Sequence, residues 1–542
     1  MDRQNLKYDA SHYPYASRRG LVYGRRGMVC ASQPLAAQAG LAMLQAGGNA
    51  VDAALAAAIT LTVVEPTSNG LGSDAFALVW TSGRLHGLNG SGYAPERLTP
   101  EALAKRGVSG KMPRRGWAPV TVPGAPSAWA ELHKRFGRLP FAKLFEPAID
   151  YAENGYPLTP VIARLWQKAE GIFAEFKGRE EFAPFFEVFF NKGRAPRAGE
   201  LVKLPRQGRA LRELAQSCCE SYYQGDIARA LTAFSDRTGG FLSAADLADY
   251  RAEWVEPISI NYRGYDVWEI PPNGHGITAL MALNILRGFD FAPGDKDTAE
   301  CWHKQIEAMK LAFADAMYYV TDPRYMRVRT EELLAPEYAA KRRALIGERA
   351  LLPEHGQPFC GGTVYLNAAD GEGNMVSFIQ SNFMGFGSGI VEPKYGISLN
   401  NRGCGFVLDP TMDGYLAPRK KPYHTIIPGF LTKDGQAVGP FGVMGGYMQP
   451  QGHVQVIMDT VDFALNPQAA LDSPRWQWLE GRKIELEPSV PQEIITGLKE
   501  RGHEVEIGDS INFGRGQIIW RTPDGMLCGA TEPRADGAVA AW

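Results

Sequence analysis

The sequence predicts an α+β fold of layered sheets covered by helices. Three observations carry it. Short apolar segments with strand character stand near residues 28–31 and 75–88, and again from 363 onward. Between them, residues 118–345 repeat the i, i+3, i+4 apolar spacing of helices. Strands lie on both sides of a loose stretch at 351–362, which suits one shared sheet system rather than two independent cores.

In chain order, residues 1–27 are polar, aromatic and Arg-rich, and read as an irregular arm. A short strand follows at 28–31. Ser32 caps a helix that carries Leu35, Ala39, Leu41 and Leu44 on one face and stops at Gly47-Gly48. A second helix, 53–63, is apolar nearly all round and so is expected to be buried on every side. A glycine-bearing loop at 65–74 leads to strands at 75–80 and 85–88, then to the loop Asn89-Gly90-Ser91-Gly92-Tyr93-Ala94-Pro95. The helical middle includes 144–154, 211–215, 228–234, 276–286 and 303–318, with a strand pair at 262–270. Beyond 363 the expected strands are 363–369, 375–380, 396–399, 430–431 and 437–443, followed by a helix at 453–463.

Composition excludes several classes. Of 542 residues, 45% are hydrophobic, enough for a large core without disulfides or metals. Lys plus Arg is 57 against 59 for Asp plus Glu, so no basic excess points to nucleic acid. Residues 1–6 lack the apolar core of a secretory signal, and the most apolar run, 53–64, is too short to span a bilayer. Seven scattered cysteines favour neither a disulfide framework nor a zinc site. The expectation is a soluble cytoplasmic protein with no cofactor, no metal, no nucleic-acid partner and no membrane partner.

The richest stretch is Gly361-Gly362-Thr363-Val364-Tyr365-Leu366-Asn367, which opens a hairpin whose turn is Asp370-Gly371-Glu372-Gly373-Asn374. A Thr hydroxyl beside its own peptide bond can attack the preceding carbonyl, and two glycines leave that approach open. Hydrolysis of the resulting ester would leave Thr363 as a new N-terminus. Its α-amine, titrating near pH ~8, could then act as base for its own hydroxyl. A Thr that merely opens a strand fits the same tripeptide.

The wider pattern resembles the γ-glutamyltransferase (glutathione hydrolase) family. The matching stretches are Gly47-Gly48-Asn49-Ala50-Val51-Asp52-Ala53-Ala54, Gly70-Leu71-Gly72-Ser73-Asp74-Ala75-Phe76, Val122-Pro123-Gly124, Phe136-Gly137-Arg138-Leu139-Pro140 and Leu311-Ala312-Phe313-Ala314-Asp315. After Thr363 come Phe386-Gly387-Ser388-Gly389-Ile390, Leu399-Asn400-Asn401 and Gly445-Gly446. The resemblance implies the four-layer αββα sandwich of the N-terminal nucleophile (Ntn) hydrolases. It also implies self-cleavage between Gly362 and Thr363 into a large fragment, 1–362, and a small one, 363–542, that stay interleaved as partners. Thr363 would be the nucleophile, and the N–H groups of Gly445 and Gly446 the oxyanion hole. A homodimer of such heterodimers is left open.

The recognition residues depart from the family pattern. The family's large-subunit Arg, which takes the α-carboxylate of a γ-glutamyl group, falls on Ser91 or a neighbouring Gly. The acid that follows the Asn-Asn pair and takes the α-amine is missing, and Asn400-Asn401 runs into Arg402. The family's Ser-Ser pair falls on His424-Thr425, and its hairpin Asn on Asn382. Each missing charged contact costs ~2–5 kcal/mol in a buried site. The expected substrate is therefore a small-molecule amide of a carboxylate without an α-amine, such as oxamate, met by Arg402, His424 and Thr425 in a pocket with no acid. Oxamate hydrolysis would place the protein late in purine breakdown. Alternatives are a true glutathione hydrolase or γ-glutamyltransferase, a cephalosporin-type acylase, and an unprocessed binding protein. Arg402 also reads as a surface salt-bridge residue, and His424 as a core or loop histidine.

Overall fold

A computed structural model describes residues 14–15, 19–190, 192–353 and 362–542. Gly361, Cys360 and most of the expected linker and N-terminal arm lie outside those residues.

Two seven-stranded antiparallel sheets form the centre. One runs, edge to edge, Ala538–Ala541, Gly27–Ala31, Gly362–Asp370, Met375–Phe383, Asp74–Thr81, Arg84–Gly90 and Glu253–Val255. The other runs Val22–Gly24, Leu527–Thr531, Arg515–Arg521, Gln436–Met444, Gly429–Lys433, Tyr265–Glu269 and Ile258–Tyr262. Between the sheets, Met28, Phe76, Tyr365 and Ile379 pack against Phe430, Met444, Ile519 and Leu527. Helices Pro34–Gln45 and Ala50–Val64 cover the outer face of the first sheet, and Gly276–Leu286 and Met448–Val461 that of the second. This is the four-layer αββα order.

Residues on both sides of Thr363 supply strands to each sheet. Gly362–Asp370 pairs with Gly27–Ala31 on one side and with Met375–Phe383 on the other, and Met375–Phe383 pairs in turn with Asp74–Thr81. The expectation of shared sheets is met. The arm expected over 1–27 needs correction, because Val22–Gly24 is an edge strand of the second sheet.

The helix Ala50–Val64 is buried along its whole length, as its apolar circumference requires. It begins three residues before the expected point. Asn49 accepts hydrogen bonds from the N–H groups of Val51 and Asp52, and the Asp52 carboxylate accepts that of Asn49, closing a capping box. Asp52 also accepts the N–H groups of Arg138 and Leu139, while Asn49 Nδ2 donates to the Phe136 carbonyl. Asp370, in the hairpin turn, accepts the N–H of Ala50. Three separate sequence motifs thus meet at one corner and satisfy one another. Among the described residues, no helix is long and apolar enough to cross a membrane.

Candidate active site

Thr363 is fully buried at the start of its strand, where the pairing of Gly362 with Phe383 and of Val364 with Gln380 leaves a bulge. Its hydroxyl lies 3.0 Å from the Ser381 hydroxyl, and Gln449 Nε2 approaches it at 3.4 Å. Ser381 Oγ accepts the N–H of Phe383, and Gln449 Oε1 accepts that of Ile427. Both neighbours of the Thr363 hydroxyl are thereby fixed by backbone, one by the strand Met375–Phe383 and one by the segment just before Gly429–Lys433. Gly445 and Gly446 form the turn between the strand Gln436–Met444 and the helix Met448–Val461. Their φ angles of +146° and +62° lie where a side chain would be strained. Such a turn can aim backbone N–H groups at a developing oxyanion.

Arg402, His424 and Thr425, taken from the sequence as one group, do come together. Arg402 Nη1 donates to Thr425 Oγ1 at 2.6 Å, and its backbone N–H is held by Asn400 Oδ1. The guanidinium lies 4.4 Å from the centre of the Phe383 ring. Arg402 has no exposed surface, so the alternative of a surface salt bridge is corrected. Its Nε and Nη2, the side-on edge that fits a carboxylate, make no hydrogen bond among the described residues.

The expectation of a pocket without an acid is also corrected. Asp74 is buried beside this group, with Oδ2 accepting from His424 Nε2 at 2.9 Å and lying 3.7 Å from Arg402 Nε. The N–H of Ile426 points at His424 Nδ1, so the ring proton sits on Nε2 and is donated to Asp74. His424 is thus a core histidine that holds the acid. Burial and the Arg402 charge keep its pKa well below the usual imidazole range. Burial pushes Asp74 up to about 7 against the opposing pull of Arg402. Burial likewise lowers Arg402 to about 10, with Asp74 resisting.

Ser91 contributes differently from its assigned role. Its hydroxyl is bonded to Asn89 and Asn273, and the next residue, Gly92, donates its N–H to Asp74 Oδ1. A Cβ at Gly92 would lie 1.6 Å from the Val122 carbonyl oxygen, so only glycine lets this loop approach the Val122-Pro123-Gly124 segment. Asn382 accepts from Ser73 and donates to Ser398, bracing the loop before Asp74. Asp74, Ser381 and Gln449 were missed by sequence reasoning. The available signal for Asp74 was one carboxylate at the head of an otherwise apolar strand.

A second buried cluster brings ligand atoms of His303, Glu307 and His503 within 4.8 Å of one another. It is closed by its own hydrogen bonds: His303 Nδ1 meets His503 Nε2 at 2.9 Å, and the Lys310 ammonium holds Glu307 Oε1 at 2.6 Å. With an ammonium already on the carboxylate, the cluster reads as a packed polar network rather than a cation site.

A cavity of ≈ 900 Å³ opens beside Met444 and Gly445. Its walls include Trp117, Phe176 and Phe386 and several arginines. Arg402, His424 and Thr425 do not line it.

The Gamma-glutamyltranspeptidase family profile matches residues 36–542. The chain is 35% identical to the Glutathione hydrolase-like YwrD proenzyme of Bacillus subtilis, over 96% of this chain and 99% of that one. It is 34% identical to the Oxamate amidohydrolase proenzyme of Klebsiella pneumoniae, over 95% and 98%. Its fold superposes on the crystal structure of cephalosporin acylase from Bacillus halodurans with a TM-score of 0.95 and 59% identity, covering 99% of both chains. The chain therefore belongs to the γ-glutamyltranspeptidase family of self-cleaving Ntn hydrolases, enzymes that act on amide bonds.

Proposed function

We propose that the chain cuts itself between Gly362 and Thr363, and that Thr363 then hydrolyses the amide of a small carboxylic acid. The carrying observation is the Thr363 hydroxyl, buried at a strand start against Ser381 Oγ and Gln449 Nε2. In the first reaction Thr363 Oγ adds to the Gly362 carbonyl carbon, the C–N bond breaks to an ester, and water cleaves the ester. The α-amine so freed takes the hydroxyl proton when Thr363 attacks a substrate amide. The carbonyl oxygen gathers charge against the Gly445 and Gly446 N–H groups, the amine leaves with a proton, and water releases the acid from the acyl-enzyme.

The acyl group is one that ends in a carboxylate. Arg402 presents a buried, unspent Nε/Nη2 edge of the shape that binds carboxylates in pairs of hydrogen bonds. Oxamate is the smallest member of this class, and the chain's 34% identity to the Klebsiella amidohydrolase supports it. A second reading, acylase action on a longer dicarboxylic monoamide, is favoured by the cavity at Gly445 and by the 59% identity to the Bacillus halodurans acylase. Asp74 next to Arg402 supplies an acid that could meet an ammonium, so a γ-glutamyl amide belongs in the test.

The test is N-terminal sequencing of the smaller band on a denaturing gel. It is followed by assays with oxamate, glutaryl 4-nitroanilide and γ-glutamyl 4-nitroanilide. A fragment beginning at Thr363 and turnover of an amide without an α-amine are expected. A single full-length band without activity would favour the binding-protein alternative. Brisk turnover of the γ-glutamyl compound alone would return the chain to glutathione hydrolysis.

A further inference from the structure

The turn that carries Gly445 and Gly446 does not stand on its own. The strands Gln436–Met444 and Arg515–Arg521 pair to their ends, with Met444 opposite Arg515. Gly445 and Gly514 therefore leave the sheet side by side. A Cβ at Gly445 would lie 3.1 Å from Gly514 Cα, and one at Gly514 would lie 2.8 Å from the Met444 carbonyl oxygen. With no side chain between them the two backbones touch, so the place of Gly514 decides the place of Gly445. Gly514 has a φ of +78° and belongs to no strand.

Two buried charges hold it. Arg475 Nη1 donates to the Phe513 carbonyl at 2.9 Å and to the Gly514 carbonyl at 3.3 Å, while Nη2 donates to Glu532 Oε2 at 2.9 Å. The same Glu532 oxygen accepts the N–H of Gly516 at 2.8 Å, and the Glu532 N–H donates to the Gly516 carbonyl at 3.1 Å. Arg475 thus grips the segment ahead of Arg515, and Glu532 grips it behind. Neither side chain is more than 1% exposed. Burial works to raise the pKa of Glu532, but Arg475 and Arg534 hold it below the usual carboxylate range, so the carboxylate stays charged. A buried ion pair is a weak source of stability, and apolar residues of similar volume often serve as well. What this pair adds is direction, through charge-assisted bonds aimed at two particular carbonyls.

We infer that Arg475 and Glu532 are positioning residues for amide hydrolysis. They fix the Phe513-Gly514 segment, and through it the Gly445–Gly446 turn, where the oxyanion needs its donors. This rests on the reading of those two glycines as the oxyanion hole. One oxyanion donor is worth about 10²–10³ in kcat, and a misplacement of about 1 Å from a distant change can cost about 10²-fold. Substrate binds before charge develops on its carbonyl oxygen, so the loss falls on kcat and spares KM.

The test uses the enzyme after a denaturing gel has shown both fragments. The substrate is whichever of oxamate, glutaryl 4-nitroanilide and γ-glutamyl 4-nitroanilide the unmodified enzyme cleaves. Arg475→Lys keeps the charge and loses the fork, whereas Glu532→Gln keeps the shape and loses the charge. Each is expected to be cut at Thr363 and to lower kcat about 10- to 100-fold, with KM changed less than about twofold. If Arg475→Lys is not recovered folded, Glu532→Gln decides. Asp52→Ala, a buried change remote from the turn, should lose Tm and keep its kcat per folded molecule. An unchanged kcat in the two variants would overturn the inference. So would an equal kcat loss in Asp52→Ala at a matched drop in Tm, which would make the pair merely structural. A variant that stays uncut would assign the pair to processing and overturn it too. If the unmodified enzyme cleaves none of the three amides, the reading of Thr363 and Gly445 fails, and the inference falls with it.

Discussion

Two buried polar regions of this molecule invite comparison. At the corner of Asn49, Asp52, Arg138 and Asp370, every side chain described above finds a donor or acceptor at about 3 Å. Around Asp74 and Arg402 the polar groups are as deeply buried, yet the closest approach of the opposite charges is 3.7 Å and two guanidinium nitrogens stay unused. A closed corner holds helix, loop and hairpin in place. An open one keeps hydrogen-bonding capacity for something that is not part of the chain. Leaving such capacity unspent costs about 1–3 kcal/mol per buried group, which makes it a better guide to function than burial or charge alone.

The comparison can be broken in order of expected effect. Thr363→Ala should give an uncut chain whose amidase activity falls by at least about 10⁴-fold, the scale on which nucleophile removal acts. A gel and a turnover assay read both, and a normally processed, active variant would place the nucleophile elsewhere. Asp52→Ala opens the closed corner and strands the N–H groups of Asn49, Arg138 and Leu139. It should cost about 3 kcal/mol or more, seen as a lowered Tm, with kcat per folded molecule retained. Arg402→Lys keeps the charge of the open region and removes its fork. The KM for the carboxylate substrate should rise by about 10- to 100-fold, while processing at Thr363 continues. An unchanged KM would mean that Arg402 is as structural as Asp52.

The smallest effect is the pH dependence of stability. Asp74 holds its proton more tightly in the folded chain, with a pKa raised to about 7 from an ordinary 3.8. Its contribution is therefore fully present below about pH 4 and is lost as pH rises through about 7, at no more than ~1.4 kcal/mol per pH unit. Denaturant midpoints at pH 5 and pH 8 should differ less in Asp74→Asn than in the unmodified chain. An identical difference would show that the titrating group lies elsewhere.

The closed region was legible only in part, because the capping pair of Asn49 with Asp52 was passed over when the helix was started at 53. Its turn, Asp370-Gly371-Glu372-Gly373-Asn374, is written by local signals. The hairpin that follows Thr363 was legible for the same reason. The open region was only half legible. Arg402, His424 and Thr425 could be grouped by alignment with a family pattern, but Asp74, the partner of Arg402 and His424, comes from a distant strand that periodicity cannot link to them. The strands Arg515–Arg521, Leu527–Thr531 and Ala538–Ala541 were also missed. The second is buried throughout, so no alternation marks it.

The order of strands around Gly362–Asp370 has a consequence for how the chain is made. Gly27–Ala31 leaves the ribosome early, but its sheet neighbours are Gly362–Asp370 and Ala538–Ala541. At ~5–20 residues per second, it waits on the order of half a minute for the first neighbour and longer for the second. The strand that carries Thr363 has both of its neighbours once residue 383 is made, but the sheet packed against it takes Gln436–Met444, Arg515–Arg521 and Leu527–Thr531 from later in the chain. Self-cleavage that needs both sheets would leave chains stalled before those strands uncut.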